Sequence, residues 1–404
     1  MYSFSIFAGY LFKPTNQQLM YPNLFYAFRD LFNVEWPALR IVNSFGFFVA
    51  LAYILAATIL AAELKRKSKQ GLLQPTEVQV MVGKPATFTD LLLNFLLGFF
   101  LGYKILALFF MDKSVTDDPQ AFIFSERGSW PLGILLAIIF TGLKWWEKKK
   151  QQLQKPELRK LRIWPQDRVG EITILALVFG LLGAKLFDTF ENWDDFIANP
   201  SSIFSASGLT WYGGLVCASL AVWWFAKKHK IGFWHLNDAA APALMMGYAF
   251  GRIGCQVAGD GDWGIVNTSP KPFSWLPDWM WAYNYPNNVN EAGVKIQGCL
   301  DSRYCYQLEP PVYPTPFYEI VICLILFMII WSLRKKFKIP GTIFAFYLVL
   351  NGVERFFIEK IRVNVQMKIL GVEMTQAELI SALLIITGLG LWYYLFKRNK
   401  TQAS

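Results

Sequence analysis

The chain has 404 residues, of which 54% are hydrophobic, 17% aromatic and only 17% charged. Ordinary globular proteins carry about 25% charged residues. With a mean hydropathy of +0.32, this composition indicates a membrane protein and excludes a disordered, collagenous or disulfide-stapled secreted chain. The net charge of +10 would suggest nucleic acid in a soluble protein, but here the charges fall in alternate loops and no nucleic-acid partner is expected.

Residues 1–42 lack the basic start, apolar run and small-residue site of a cleaved signal. They are rich in Phe and Tyr and read as a segment associated with the outer face of the membrane. A bilayer core needs about 20 mostly apolar residues per helix, and nine stretches qualify: Phe45–Ala62, Leu91–Met111, Trp130–Trp146, Ile172–Phe187, Leu209–Ala226, Ala239–Val257, Phe317–Leu333, Gly341–Phe357 and Leu379–Phe396. None alternates with period two, which argues against a transmembrane barrel. The expected fold class is therefore all-α, a polytopic membrane helix bundle of about nine spans over residues 43–396, with a cytoplasmic tail at 397–404. One set of alternate loops holds 24 Lys and Arg and the other holds 10, with five more inside spans. The positive-inside rule then puts the N-terminus outside and the C-terminus in the cytoplasm.

The outer-face loop 258–316 is nearly sixty residues long, and loops of that length carry function. It holds Cys299 and Cys305, a plausible disulfide on an oxidising side of the membrane, with free thiols or metal ligands as the alternative. Basic residues within apolar depth are costly and call for a reason. Lys104 and Lys185 lie toward helix ends and are expected to snorkel to headgroups. Arg252 and Arg355 instead sit in polar constellations. The first runs Gly251-Arg252-Ile253-Gly254-Cys255-Gln256 and on to Gly259-Asp260-Gly261-Asp262-Trp263-Gly264. Its glycines let backbone approach a ligand, and its arginine offers a fork suited to a phosphodiester. The second is Tyr313-Pro314-Thr315-Pro316-Phe317-Tyr318-Glu319. The third, Asn351 to Arg362, places Arg355 and Glu359 four apart on one helix face, with Arg362 a turn further. The fourth is Ser207-Gly208-Leu209-Thr210-Trp211-Tyr212-Gly213-Gly214-Leu215.

These four motifs resemble, in order and direction, those of the prolipoprotein diacylglyceryl transferases, bacterial inner-membrane enzymes. SFGFFVALAY and GAKLFDTFEN also resemble family segments, so the likeness spans about 37–62 and 170–396, leaving about 65–168 with two extra spans beyond a seven-helix core. The resemblance implies transfer of a diacylglyceryl group from phosphatidylglycerol to the lipobox cysteine thiol of prolipoproteins, with release of glycerol phosphate and with no cofactor or metal. It implies catalytic roles for Arg252, Arg355, Tyr212, Asp260 and Glu359, and substrate contacts from Gly213, Gly214, Gly251, Gly254, Tyr318, Glu319 and Arg362. The sequence departs from the family pattern at Cys255, where asparagine is expected, and at Tyr212 and Tyr313, where histidine is expected. The only histidines, His229 and His235, lie in or beside a cytoplasmic loop. Two rival readings are a secondary transporter of an anionic or phosphorylated solute, suggested by glycine-broken helices and buried arginines, and a phosphatidylglycerol-binding member without transfer activity.

Overall fold

The computed structural model describes residues 20–110, 122–123, 125–200, 203, 210–299, 303–364, 366–369 and 372–403. Met111 and Leu209, at the ends of two expected spans, lie outside the described residues, as do Ser207, Gly208 and residues 1–19. Apart from Phe109–Phe110, Thr210 and Gly341, the described residues of the nine expected stretches are helical. Among the described residues, five helical segments are long and apolar enough to cross a membrane: Ser44–Lys69, Phe88–Leu106, Pro165–Glu191, Thr315–Leu333 and Gln376–Thr401. The others are less apolar; Thr342–Glu359, for example, carries Glu354, Arg355 and Glu359. The all-α expectation needs one amendment, because among the described residues three antiparallel strand pairs accompany the helices. The last helix, Gln376–Ala403, also continues through the stretch read as a tail.

The chain divides into two compact units. The first comprises the described residues of Met1–Trp36, Val42–Leu64 and Phe233–Ser404. Its short helix α1, Leu24–Phe32, is capped by the Asn23 side chain, which accepts from the Phe25 amide at 3.1 Å. The long helix α2, Ser44–Lys69, starts here. Helix α3, Phe233–Ala258, packs on α4, Thr315–Leu333, and α5, Thr342–Glu359, packs on α6, Gln376–Ala403. Small residues set these distances. Ala241, Met245, Ala249, Cys323, Ile330 and Ile343 form a buried core. A methyl group on Gly352 would meet the Ser381 carbonyl at 2.8 Å.

The loop between α3 and α4 is ordered by its own polar groups. Buried Asn288 donates to the carbonyls of Tyr285, Ala292 and Tyr306 at 3.1–3.2 Å and accepts from the Ala292 amide. Tyr283, Tyr285 and Val312 pack with Met20, and Cys299 and Cys305 are joined as a disulfide.

The second unit comprises the described residues of Pro37–Ile41 and Lys65–Gly232. Helix Phe88–Phe100 continues into a π-helical turn, Leu101–Leu106, and packs on Trp130–Gln151. Gly98 and Gly102 allow this approach, since an added methyl would strike the carbonyls of Leu136 and Leu132. Lys104, on the π turn, does not snorkel. Its ammonium donates to the carbonyls of Phe122, Ser125 and Arg127, a local cage that satisfies the charge without reaching a headgroup. Helix Val169–Glu191 packs on Trp211–Lys228. Strands β1, Thr76–Val82, and β2, Glu157–Ile163, pair at the helix ends of this unit.

Candidate active site

Tyr248, Arg252 and Cys255 recur at helical spacing along α3, so one face carries all three polar groups. The Arg252 guanidinium carbon sits 5.2 Å from the Tyr248 ring centre. The helix then has to stop and turn back. Gly259 and Gly261 have φ of +63° and +100°, the left-handed conformation that glycine adopts without a Cβ penalty. This turn returns Asp260 and Asp262 toward Arg252. The Asp262 carbonyl accepts from Thr315 Oγ1 at 2.7 Å, which ties the turn to the start of α4.

Glu319, one turn into α4, is wholly buried and joins the motifs. Its Oε2 lies 3.1 Å from Arg252 Nε and 3.6 Å from Arg362 Nη1, and its Oε1 lies 2.9 Å from Arg355 Nη1. Tyr248 Oη donates to Oε1 at 2.8 Å. Asp262 bridges Arg252 and Arg362 from the other side. The result is a ring, Arg252–Asp262–Arg362–Glu319, with Arg355 attached at Glu319. Arg355 Nη2 also reaches Glu359 Oε2 at 3.1 Å. Glu359 Oε1 accepts from Thr375 Oγ1 at 2.9 Å and from Asn364. Ion pairs at this depth hold only because each charge meets several partners. Burial raises the Asp262 carboxyl, but Arg252 and then Arg362 outweigh it and hold it at about 2. Burial, then the Asp262 charge, push the neighbouring Asp260 carboxyl up.

Such an array suits an anionic group. The arginines are planar forks with more donors than their carboxylates use. Arg252 and Arg355 keep 16% and 21% of their side-chain surface accessible, against 8% for Arg362. The first two can therefore meet a ligand, while Arg362 mainly fixes Asp262. Gly251 has open space where a side chain would stand.

The arrangement gathers three of the four motifs, those at 251–264, 313–319 and 351–362, and comparison with known proteins decides the matter: the prolipoprotein diacylglyceryl transferase family matches residues 129–394, more than half of the chain. The chain belongs to the prolipoprotein diacylglyceryl transferase family. It is 27% identical over 245 residues to a phosphatidylglycerol–prolipoprotein diacylglyceryl transferase of Pseudomonas aeruginosa, covering 59% of this chain and 81% of the relative. It is 28% identical over 236 residues to the Dehalococcoides mccartyi protein of the same name, covering 58% and 79%. A third relative of that name, from Shouchella clausii, is 28% identical over 232 residues, covering 57% and 76%. The family match includes Trp130–Gln151, which the motif comparison had assigned to the extra segment.

Within this transferase fold the expected site residues fall into three groups. Arg252, Arg355, Arg362, Glu319 and Glu359 come together. Asp260 lies beside Cys255 and Asp262, but among the described residues the arginine ion pairs go to Asp262. Others are engaged in packing or tethering. Tyr318 Oη donates to the Met280 carbonyl at 3.0 Å, and the Cβ position of Gly254 abuts Phe45 and Phe48. Tyr212, Gly213 and Gly214 belong to the second unit, where an added methyl on either glycine would strike Gly183 or Gly180. Sequence reasoning did not single out Tyr248 or Asp262 as site residues. Tyr248 was findable, since it stands four residues before Arg252 on the same helix. Asp262 was not separable from Asp260 in a Gly-Asp-Gly-Asp run.

Proposed function

We propose that this chain transfers the diacylglyceryl group of phosphatidylglycerol to the lipobox cysteine thiol of a prolipoprotein and releases glycerol phosphate. The observation that carries this is the convergence of Arg252, Arg355 and Arg362 on Glu319, supported by the names of the relatives.

The sulfur forms a bond to a glyceryl carbon, the carbon–oxygen bond to phosphate breaks, and the electron pair leaves with a phosphate monoester. Charge therefore grows on phosphate oxygens, where preorganised donors stabilise a transition state most. Arg252 and Arg355 bind that phosphate. Glu359, Asp262 and Arg362 hold them in place, and Gly251 leaves room for the headgroup. A free cysteine thiol has a pKa of about 8.5, so a small fraction is already thiolate at neutral pH and nearby cations enlarge it. His235 stands 17 residues before Arg252 on α3, about 25 Å along the helix axis, so Arg252 and its phosphate act without an imidazole base.

The same reading makes the chain a nine-span protein of the bacterial inner membrane, with the N-terminus and loop 258–316 outside and the C-terminus in the cytoplasm. The basic-residue asymmetry supports this orientation. The test is incubation of purified protein with labelled phosphatidylglycerol and a lipobox peptide. Thiol-dependent glycerol phosphate release is expected. Lipid binding without release, or transport of a phosphorylated solute in its place, overturns the proposal.

A further inference from the structure

The β1–β2 sheet of the second unit has an unusual surface. In its register Thr76 faces Ile163, Val78 faces Leu161 and Val80 faces Arg159. Side chains alternate across a strand, so Thr76, Val78, Val80, Val82, Leu161 and Ile163 share one side, with the Arg159–Glu157 ion pair at one end of it. Glu77, Gln79, Lys160 and Arg162 lie on the other, with Met81 and Leu158 at its far end, and Glu77 and Arg162 pair there at 3.2 Å. The apolar side is not covered: Val80 is 37% and Leu161 45% exposed. A two-stranded sheet with an open apolar face is marginal in water, and this one needs a surface to lie on.

Charge identifies that surface. From Lys144 to Arg168 the chain carries nine Lys and Arg against three Asp and Glu. Trp145 and Trp146, half-exposed or more, stand at the same end of the preceding helix, with Lys149 and Lys150 over their rings. Aromatic rings beside lysines mark the level of lipid headgroups. An amphipathic element that joins an apolar face to a dense basic cluster is the combination that binds an anionic bilayer surface.

We infer that the β1–β2 sheet is a membrane-surface element that lies on the anionic headgroup layer next to the helices it connects. Val80 and Leu161 enter the acyl boundary, while Arg159 at the end of that face and the lysines of the preceding helix meet lipid phosphates. The inference rests on the membrane reading of the chain but not on the transfer reaction.

The test is hydrogen exchange, read by mass spectrometry, on the full chain in nanodiscs of phosphatidylcholine alone or mixed equally with phosphatidylglycerol. Peptides covering 76–82 and 157–163 should exchange at least about fivefold more slowly in the anionic discs, and 1 M salt should remove the difference by screening. Leu161→Glu should lose the protection, as should Lys149→Glu combined with Lys150→Glu on the preceding helix, which leaves the sheet's apolar face intact. Arg252→Ala should keep it, so failure here and failure of the transfer reading are separable. Equal exchange in both lipids, protection that survives 1 M salt, or protection that needs a second protein each overturns the inference.

Discussion

Arg252 Nε stands 3.1 Å from an oxygen of Glu319 that no solvent reaches. The same carboxylate meets Arg355 and Arg362, so its charge positions three forks at once. Glu319→Gln keeps the volume and one acceptor while removing the charge. Loss of one partner from a buried pair costs about 3–5 kcal/mol. A clear drop in thermal stability in detergent is expected, together with a fall in transfer of at least about tenfold. Wild-type stability and turnover in this variant would show that the arginines are held by other groups.

Arg252→Ala should abolish transfer while folded protein stays in the membrane, since it removes a phosphate fork and little core packing. Arg252→Lys should be severely impaired too, because a point ammonium cannot replace a bidentate donor. The check is glycerol phosphate release at matched expression. Activity of either variant within about threefold of wild type would move the phosphate site elsewhere.

Arg355 and Glu359 separate ligand binding from charge balance. If Arg355 contacts phosphate, the Arg355→Ala/Glu359→Ala double variant stays inactive although its charges balance. Glu359→Gln, which can still accept from Thr375, should retain partial activity. The expected order is wild type, then Glu359→Gln, then Arg355→Ala and the double variant near zero. Substantial turnover by the double variant would make the pair purely structural.

How legible was this site? Arg355 and Glu359 could be read directly, because four residues on a helix fix their neighbourhood. The helices were legible from apolar length alone. The ring through Glu319 was not, since Glu319 lies 67 positions from Arg252, 57 from Asp262 and 43 from Arg362, and only tertiary packing joins them. Strand β1 did leave a trace, Thr-Glu-Val-Gln-Val-Met-Val. Its partner lies some 80 residues on, and the alternation is too short to compete with nine apolar runs.

The two aspartates of the turn give opposite pH signatures. Asp262, held at about 2 against an ordinary 3.8, favours folding above pH 3.8, and that contribution fades as pH falls toward 2. Asp260 is raised, so its ionisation opposes folding. The penalty is absent below its ordinary value and complete above its raised one. Asp260→Asn should therefore raise the melting temperature at pH 8 and change it little near pH 4. An equal gain at both values would assign the effect to packing instead of ionisation.

One backbone contact sets how far this arrangement can flex. Gly264 pairs with Arg362 in an isolated antiparallel bridge, the Ile265 amide donates to the Ile361 carbonyl at 2.9 Å, and a methyl on Gly264 would strike that carbonyl. The exit of the Arg252 helix is thus latched to the exit of the Arg355 helix by main chain, with no room for a Cβ at 264. The latch acts as a fixed gauge between the two guanidinium groups. A bulkier residue at 264 would open the jaws without touching either arginine, so a silent-looking backbone position controls the bite of the site.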